Sequence, residues 1–206
     1  MSLSHVFWIG GASGAGKSTI ARALSQRHGL RLYDTDATMT EHAARSTAPQ
    51  LTAFKAMTMD QRWVDRSPRV MLETFHWYRG EAFGEILDDL RRLPAEPGIV
   101  AEGFRLLPHL VRPHLTARTQ AVWLLPTPAF RRAAFDSRGS TWQIAGRTSD
   151  PARALANLLE RDRLFTERLR DEVTREDLPA ITVTPGMTEE ELLGQVSDCL
   201  KIHRVR

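Results

Sequence analysis

The sequence predicts an α/β fold, a five-stranded parallel sheet with helices on both faces. Three observations carry that prediction. Short apolar runs alternate with longer stretches of helical periodicity along the 206 residues. One run, Gln120-Ala-Val-Trp-Leu-Leu125, is apolar almost throughout, as a strand covered on both faces must be. A glycine-rich turn also lies between the first run and the first helix, where such turns bind phosphate.

The elements follow in order. Val6-Phe-Trp-Ile9 reads as a buried first strand. The helix after the turn carries Ile20 and Leu24 on one face and stops at Gly29. Leu30-Arg-Leu-Tyr33 alternates as a second strand and ends in Asp34-Thr-Asp36. Residues 37–67 are polar and irregular, with helical fragments at most, and are expected to form a mobile insertion that covers an acceptor. Ser67-Pro68 is a helix start, and Met71, Phe75, Tyr78, Ala82, Ile86 and Leu90 keep helical spacing up to the break at 94–98.

Ile99-Val-Ala101 is a third strand, closed by Glu102-Gly103, and 120–125 is the fourth. Thr127-Pro128 opens a helix to about Arg138, and the loop in 139–152 is expected to act as a lid. Asp150-Pro151 caps a long helix to about Val173. Ile181-Thr-Val-Thr184 is the fifth strand, and Thr188 to Glu191 is a capping box for a last helix. No repeat or low-complexity segment interrupts the pattern, so 1–206 reads as a single domain.

Composition excludes several function classes. The net charge is +3, the pI is near 9.5, and no long Lys/Arg run is present. Charge therefore implies no nucleic-acid partner, and an acidic or phosphorylated small molecule suits the chain at least as well. The single cysteine, Cys199, excludes an intramolecular disulfide, and its apolar surroundings point to packing. No apolar run approaches membrane length, and no signal peptide is expected before the first strand. The expectation is a cytoplasmic monomer or homodimer with no membrane partner. The scattered histidines show no zinc-ligand spacing, and no G-x-S-x-G elbow is present.

The turn itself is specific. Gly11, Gly16, Lys17 and Ser18 fit G-x-x-x-x-G-K-[ST]. Backbone amides across Gly11, Ala12, Ser13, Gly14, Ala15, Gly16, Lys17, Ser18 and Thr19 are expected to cradle the phosphates of ATP, aided by the helix dipole. Lys17 is expected to reach the β- and γ-phosphates, and the Ser18 hydroxyl can ligate Mg²⁺.

In parallel sheets, ligands gather beyond the carboxyl ends of the strands. That rule selects Asp34 and Asp36, then Glu102 with Arg105, then the arginines after the fourth strand. On an extended chain Asp34 and Asp36 point the same way, so one can support Mg²⁺ while the other orients or deprotonates an attacking hydroxyl. Glu102 stands where a metal-supporting acid is expected. Arg105 reads equally as a substrate contact or a solvated surface charge. Of the seven arginines between 131 and 163, Arg138, Arg147 and Arg161 are the candidates to stabilise transferred charge.

With those residues in view, nearly the whole chain resembles the P-loop kinases of small metabolites and nucleotides. Leu32-Tyr-Asp-Thr-Asp36 is similar to the D-x-D stretch of shikimate and gluconate kinases. The resemblance implies that Asp34 helps organise Mg²⁺ and that Asp36 contacts the acceptor. The Arg138 to Arg147 loop resembles the family's LID, whose arginines clamp phosphates, and Arg161-Asp162 resembles a basic position on the helix after it. Glu102-Gly103 departs from the more frequent Asp-Gly or Gly-Gly, and residues 38–66 carry no substrate-binding motif recognisable from the sequence.

The resemblance implies a three-layer α/β/α P-loop NTPase sandwich with a small helical LID. It also implies ATP-dependent transfer of the γ-phosphate to a small-molecule or nucleotide acceptor, with Lys17, Asp36, Arg138, Arg147 and Arg161 catalytic and Ser18, Asp34 and Glu102 at the metal. Two other readings share the architecture. One is an NTP-hydrolysing switch, although the chain lacks an N-K-x-D motif. The other is a toxin-like or antibiotic-modifying kinase.

Overall fold

The structure, a computed structural model, describes residues 2–138 and 144–202, and their side chains except at 135–138. Its sheet consists of β1 (Val6–Gly11), β2 (Arg31–Asp34), β3 (Ile99–Glu102), β4 (Ala121–Pro126) and β5 (Ala180–Val183). The strand order is β2-β3-β1-β4-β5, and every neighbouring pair is parallel. This is the three-layer sandwich that the alternation of strands and helices predicts.

Alternate residues of each central strand feed two separate cores. Val6, Trp8, Ile99, Ala101, Ala121 and Trp123 enter one of them. Ile9, Val100, Val122 and Leu124 enter the other. Both faces are buried, which is why the strands read as continuous apolar runs. The second core is closed by α1 (Lys17–His28) and α10 (Glu189–Leu200), through Ile20, Leu24, Leu193 and Val196. The first is closed mainly by α6 (Phe83–Arg92), the short α7 (Pro108–Val111) and α9 (Pro151–Arg175), through Ile86, Leu90, Val111, Phe165 and Leu169. The end signals behave as expected. Gly29 is left-handed after α1, Asp150 accepts from Arg153 N at the start of α9, and Thr188 with Glu191 forms the capping box of α10.

The helix predicted across 67–93 is broken into three pieces. They are α5 (Pro68–Thr74), a 3₁₀ turn (His76–Arg79) and α6. Phe75 is extended, and Gly80 and Ala82 are left-handed at φ 81° and 60°. The 3.6-residue spacing survives because each piece buries its own apolar residues. The polar stretch before it folds as α2 (Met39–Arg45), α3 (Pro49–Ala56) and α4 (Met59–Trp63). A third, smaller core pins α4 and α5 to α9 through Trp63, Met71, Ala145, Leu155 and Leu158.

Candidate active site

Strand register builds the site. Ile9 of β1 and Asp34 of β2 both pair with Glu102 of β3, so the strand-end acids lie in one row beside the entry to the glycine-rich loop. The loop leaves β1 at Gly11 and enters α1 at Lys17. Gly14 is left-handed at φ 75°, and a Cβ there would meet Arg131 Nη1 at 2.5 Å, so glycine is required for this side chain to approach. Lys17 is buried, and its Nζ donates to the Ala12 carbonyl at 2.8 Å, folding the side chain back across the loop. Ser18 is exposed at the start of α1, where the helix dipole favours an anion.

The two aspartates are related by a turn rather than by extended chain. Asp34 Oδ1 accepts the Asp36 amide at 2.8 Å and the Ala37 amide at 3.3 Å, so Asp34 shapes the corner as well as facing the loop. Asp36 is reached by solvent, yet crowding desolvates its carboxyl and raises it above the usual aspartate range. The charge of Asp34 adds to that rise, while Lys17 and Arg105 oppose it. Glu102 is fully buried, and its Oε2 has no hydrogen-bond partner among the described residues. Burial raises its carboxyl, against the pull of Lys17 and the Ser18 hydroxyl.

The corner between the aspartates is held from behind. Arg105 is buried, which excludes the surface reading of this residue. Its Nη1 donates to the Thr35 carbonyl at 2.9 Å, its Nη2 donates to His42 Nδ1 at 2.8 Å, and its guanidinium lies 4.4 Å from the centre of the Trp77 ring. Asp89 Oδ2 then faces His42 Nε2 at 2.9 Å and accepts from the Tyr33 hydroxyl at 2.7 Å. Burial lowers the Arg105 value to about 10, which leaves it a cation at neutral pH.

The arginine candidates divide. Arg161 is buried on α9 and donates to Asp162 Oδ1 at 2.7 Å; the other oxygen of Asp162 accepts from Arg131, the neighbour of Gly14. Burial raises the Asp162 carboxyl, but the two guanidiniums outweigh it and hold it below the usual range. Arg147 is exposed on a turn, and that turn docks on the α4 region, where the Ser149 amide donates to Asp60 Oδ1 at 2.7 Å. The side chain of Arg138 and residues 139–143 of the expected lid lie outside the described residues. Arg131 and His42 escaped the sequence reading as site residues. The one local signal for Arg131 is its place in the first turn of α8 (Pro128–Arg138), directly after β4.

On the other side of the loop, Gly16, Thr19, Phe130, Val183, Met187 and Leu192 line a groove of about 160 Å³. Among the described residues no three His, Cys, Asp or Glu side chains form a metal cage by themselves, and no helix is long and apolar enough to cross a membrane.

Comparison with known proteins agrees with this geometry. The family model for shikimate kinase matches residues 13–56. No curated protein sequence gives a significant match. Two solved structures of deoxyadenosine kinase from M. mycoides share the fold at 14% identity. One, with bound dATP, covers 95% of this chain and 99% of its own at a TM-score of 0.51. The other, with the products dCMP and a flexible dCDP, covers 95% and 98% at 0.54. The phosphate loop, a family match confined to residues 13–56 and the shared fold all agree with the resemblance to the P-loop kinases.

Proposed function

We propose that the chain binds Mg·ATP on the 11–19 loop and passes its γ-phosphate to an oxygen of an acceptor held against Asp36 and covered by residues 37–67. The row formed by Ile9, Glu102 and Asp34 carries this reading, because it aligns the acids with the loop. The acceptor oxygen attacks the γ-phosphorus, the bond to the β-phosphate oxygen breaks, and its electrons leave with ADP. For a hydroxyl acceptor, Asp36 orients the group and takes its proton; its raised carboxyl makes it a stronger base than an ordinary aspartate. Lys17 and the lid arginines Arg138 and Arg147 stabilise the transferred charge. Arg161 contributes through Asp162, which holds Arg131 at the loop. The groove beside Phe130 and Met187 receives the adenine ring.

The residues present fit a magnesium ion. The Ser18 hydroxyl, Asp34 and the unpartnered Glu102 Oε2 are hard oxygen donors, and an ion shared with phosphates and water needs no closed protein cage. When bound, the ion neutralises charge on the β- and γ-phosphates. Incubation with ATP, Mg²⁺ and a panel of nucleosides, nucleotides, sugars and hydroxy acids, read as ADP release, tests the reading. We expect release that depends on one acceptor class and is lost in Lys17→Ala. Acceptor-independent hydrolysis, or full turnover in Lys17→Ala, overturns it.

A further inference from the structure

At the end of β4, α8 and α9 flank a cleft of about 290 Å³. Pro126, Pro128 and Leu159 give it an apolar wall. Phe130 lines the groove proposed for adenine, whereas its neighbours Arg131 and Arg132 line this cleft, and no residue lines both. The cleft is therefore a separate place from the nucleotide's own seat.

Most of its charges are already matched. Arg163 donates to the two oxygens of Glu160 at 2.7 and 2.8 Å and also pairs with Glu167. Arg131 pairs with Asp162, and the Thr166 hydroxyl donates to the Asp162 carbonyl at 2.8 Å. Arg132 of α8 and Arg170 of α9 are what remain. Both are exposed, both line the cleft, and neither has a carboxylate within ion-pair distance among the described residues. Two guanidinium forks brought from separate helices to one apolar wall suit an anionic head on an apolar body. The forks take the oxygens and the wall takes the body. The volume is at the small end of ligand pockets, which begin at about 300 Å³, and it admits a single ring with its head group.

The cleft also touches the phosphate loop through one side chain. Arg131 is almost buried in its pair with Asp162, and its Nη1 would lie 2.5 Å from a Cβ on Gly14. This guanidinium thus borders the cleft and the loop together. An anion in the cleft and the phosphates of ATP on the loop share that one cation, and their like charges repel.

We infer that the cleft between α8 and α9 is a regulatory site for a small anion with an apolar body, a carboxylate or a phosphate monoester, held by Arg132 and Arg170, and that its occupation weakens ATP binding through Arg131. This goes beyond the kinase reading, since it needs nucleotide on the loop but no transfer to an acceptor. The coupling is reciprocal: ATP weakens the cleft ligand by the factor by which the ligand weakens ATP.

Benzoate and phenyl phosphate are the probes, with benzyl alcohol as the neutral control. Each is titrated by calorimetry into the full chain, with and without Mg²⁺ and a non-hydrolysable ATP analogue. We expect saturable binding of at least one anion even in the analogue-loaded protein, and none of benzyl alcohol. The tighter probe tells carboxylate from phosphate. Saturating probe is expected to lower the analogue's affinity by roughly fivefold, after which the loss levels off. Arg132→Gln and Arg170→Gln are each expected to weaken the probe roughly tenfold, with the analogue's own affinity unchanged as the control for folding. No saturable binding of either anion to the loaded protein, or unchanged binding in both variants, overturns the site. A loss of analogue affinity that keeps growing with probe concentration marks direct competition on the loop and overturns it too. Unchanged analogue affinity at saturating probe overturns the regulation. If the site and its coupling are seen but no acceptor elicits ADP release, this inference stands and the kinase reading falls.

Discussion

His42 stands between Arg105 and Asp89, with Nδ1 2.8 Å from the guanidinium and Nε2 2.9 Å from the carboxylate. A guanidinium only donates, so Nδ1 presents its lone pair and Nε2 carries the proton toward Asp89. One ring orientation thus joins α2, α6 and the loop after β3. His42→Ala leaves Arg105 without one acceptor in a buried site and is expected to destabilise the fold by about 1–3 kcal/mol. It should also lower kcat more than it raises the KM for ATP, because Arg105, the anchor of Thr35, loses one of its tethers. Urea denaturation and steady-state kinetics check both, and an unchanged kcat contradicts the anchoring role.

Gly103 sits at φ 150°, and a Cβ there would land inside the Thr35 hydroxyl. Gly103→Ala must therefore displace the corner that carries both aspartates. We expect a loss of roughly 1–3 kcal/mol from backbone strain and overpacking and a larger fractional loss of activity than of ATP affinity. Parallel measurement of nucleotide binding and turnover separates the two effects.

If Asp36 takes the acceptor's proton, as proposed, the pH profile is expected to report on its carboxyl. Desolvation and the nearby Asp34 charge raise its carboxyl, so the acid limb of kcat/KM is expected above the ordinary aspartate value of about 3.9. Removing a neighbouring negative charge makes ionisation easier. Asp34→Asn should accordingly move the limb to lower pH, whatever it does to the maximal rate. A limb that stays in place assigns the titration to another group.

Asp162 is shared by two guanidiniums and almost wholly buried. Asp162→Asn removes the countercharge of both and is expected to cost about 3–5 kcal/mol at neutral pH. The native carboxyl is held low, so its stabilisation is present above the unfolded value of about 3.9 and is lost as pH falls through the lower folded value. Below about pH 4 the wild-type protein should lose stability more steeply than Asp162→Asn. Thermal unfolding across pH 2–7 reads the difference directly.

Local chemistry was legible in the chain, and pairing between distant segments was not. The five strands, the phosphate loop and the caps at Gly29, Asp150 and Thr188 announce themselves within a few residues. The break at 75–82 does not, because helical spacing continues across it while Ala82 takes a left-handed conformation. Arg105 read equally as a substrate contact or a surface charge, since its partners, Thr35 and His42, lie 70 and 63 residues away. The pairing of Arg131 with Asp162 is hidden for the same reason. The strand ends were visible as acidic positions, but only the sheet order puts Asp34 and Glu102 side by side.

That order has an evolutionary consequence. β3 is wedged between β1 and β2, so the strand that feeds the glycine-rich loop and the strand that leads to Asp34 and Asp36 never touch. Adjacent strands lie about 4.8 Å apart, and the gap leaves each half its own scaffold. The solvent-facing positions of α2 and α3 can therefore diverge while the glycine-rich loop and its strand stay in place. A lineage built on this sheet can change its clientele while keeping its fuel.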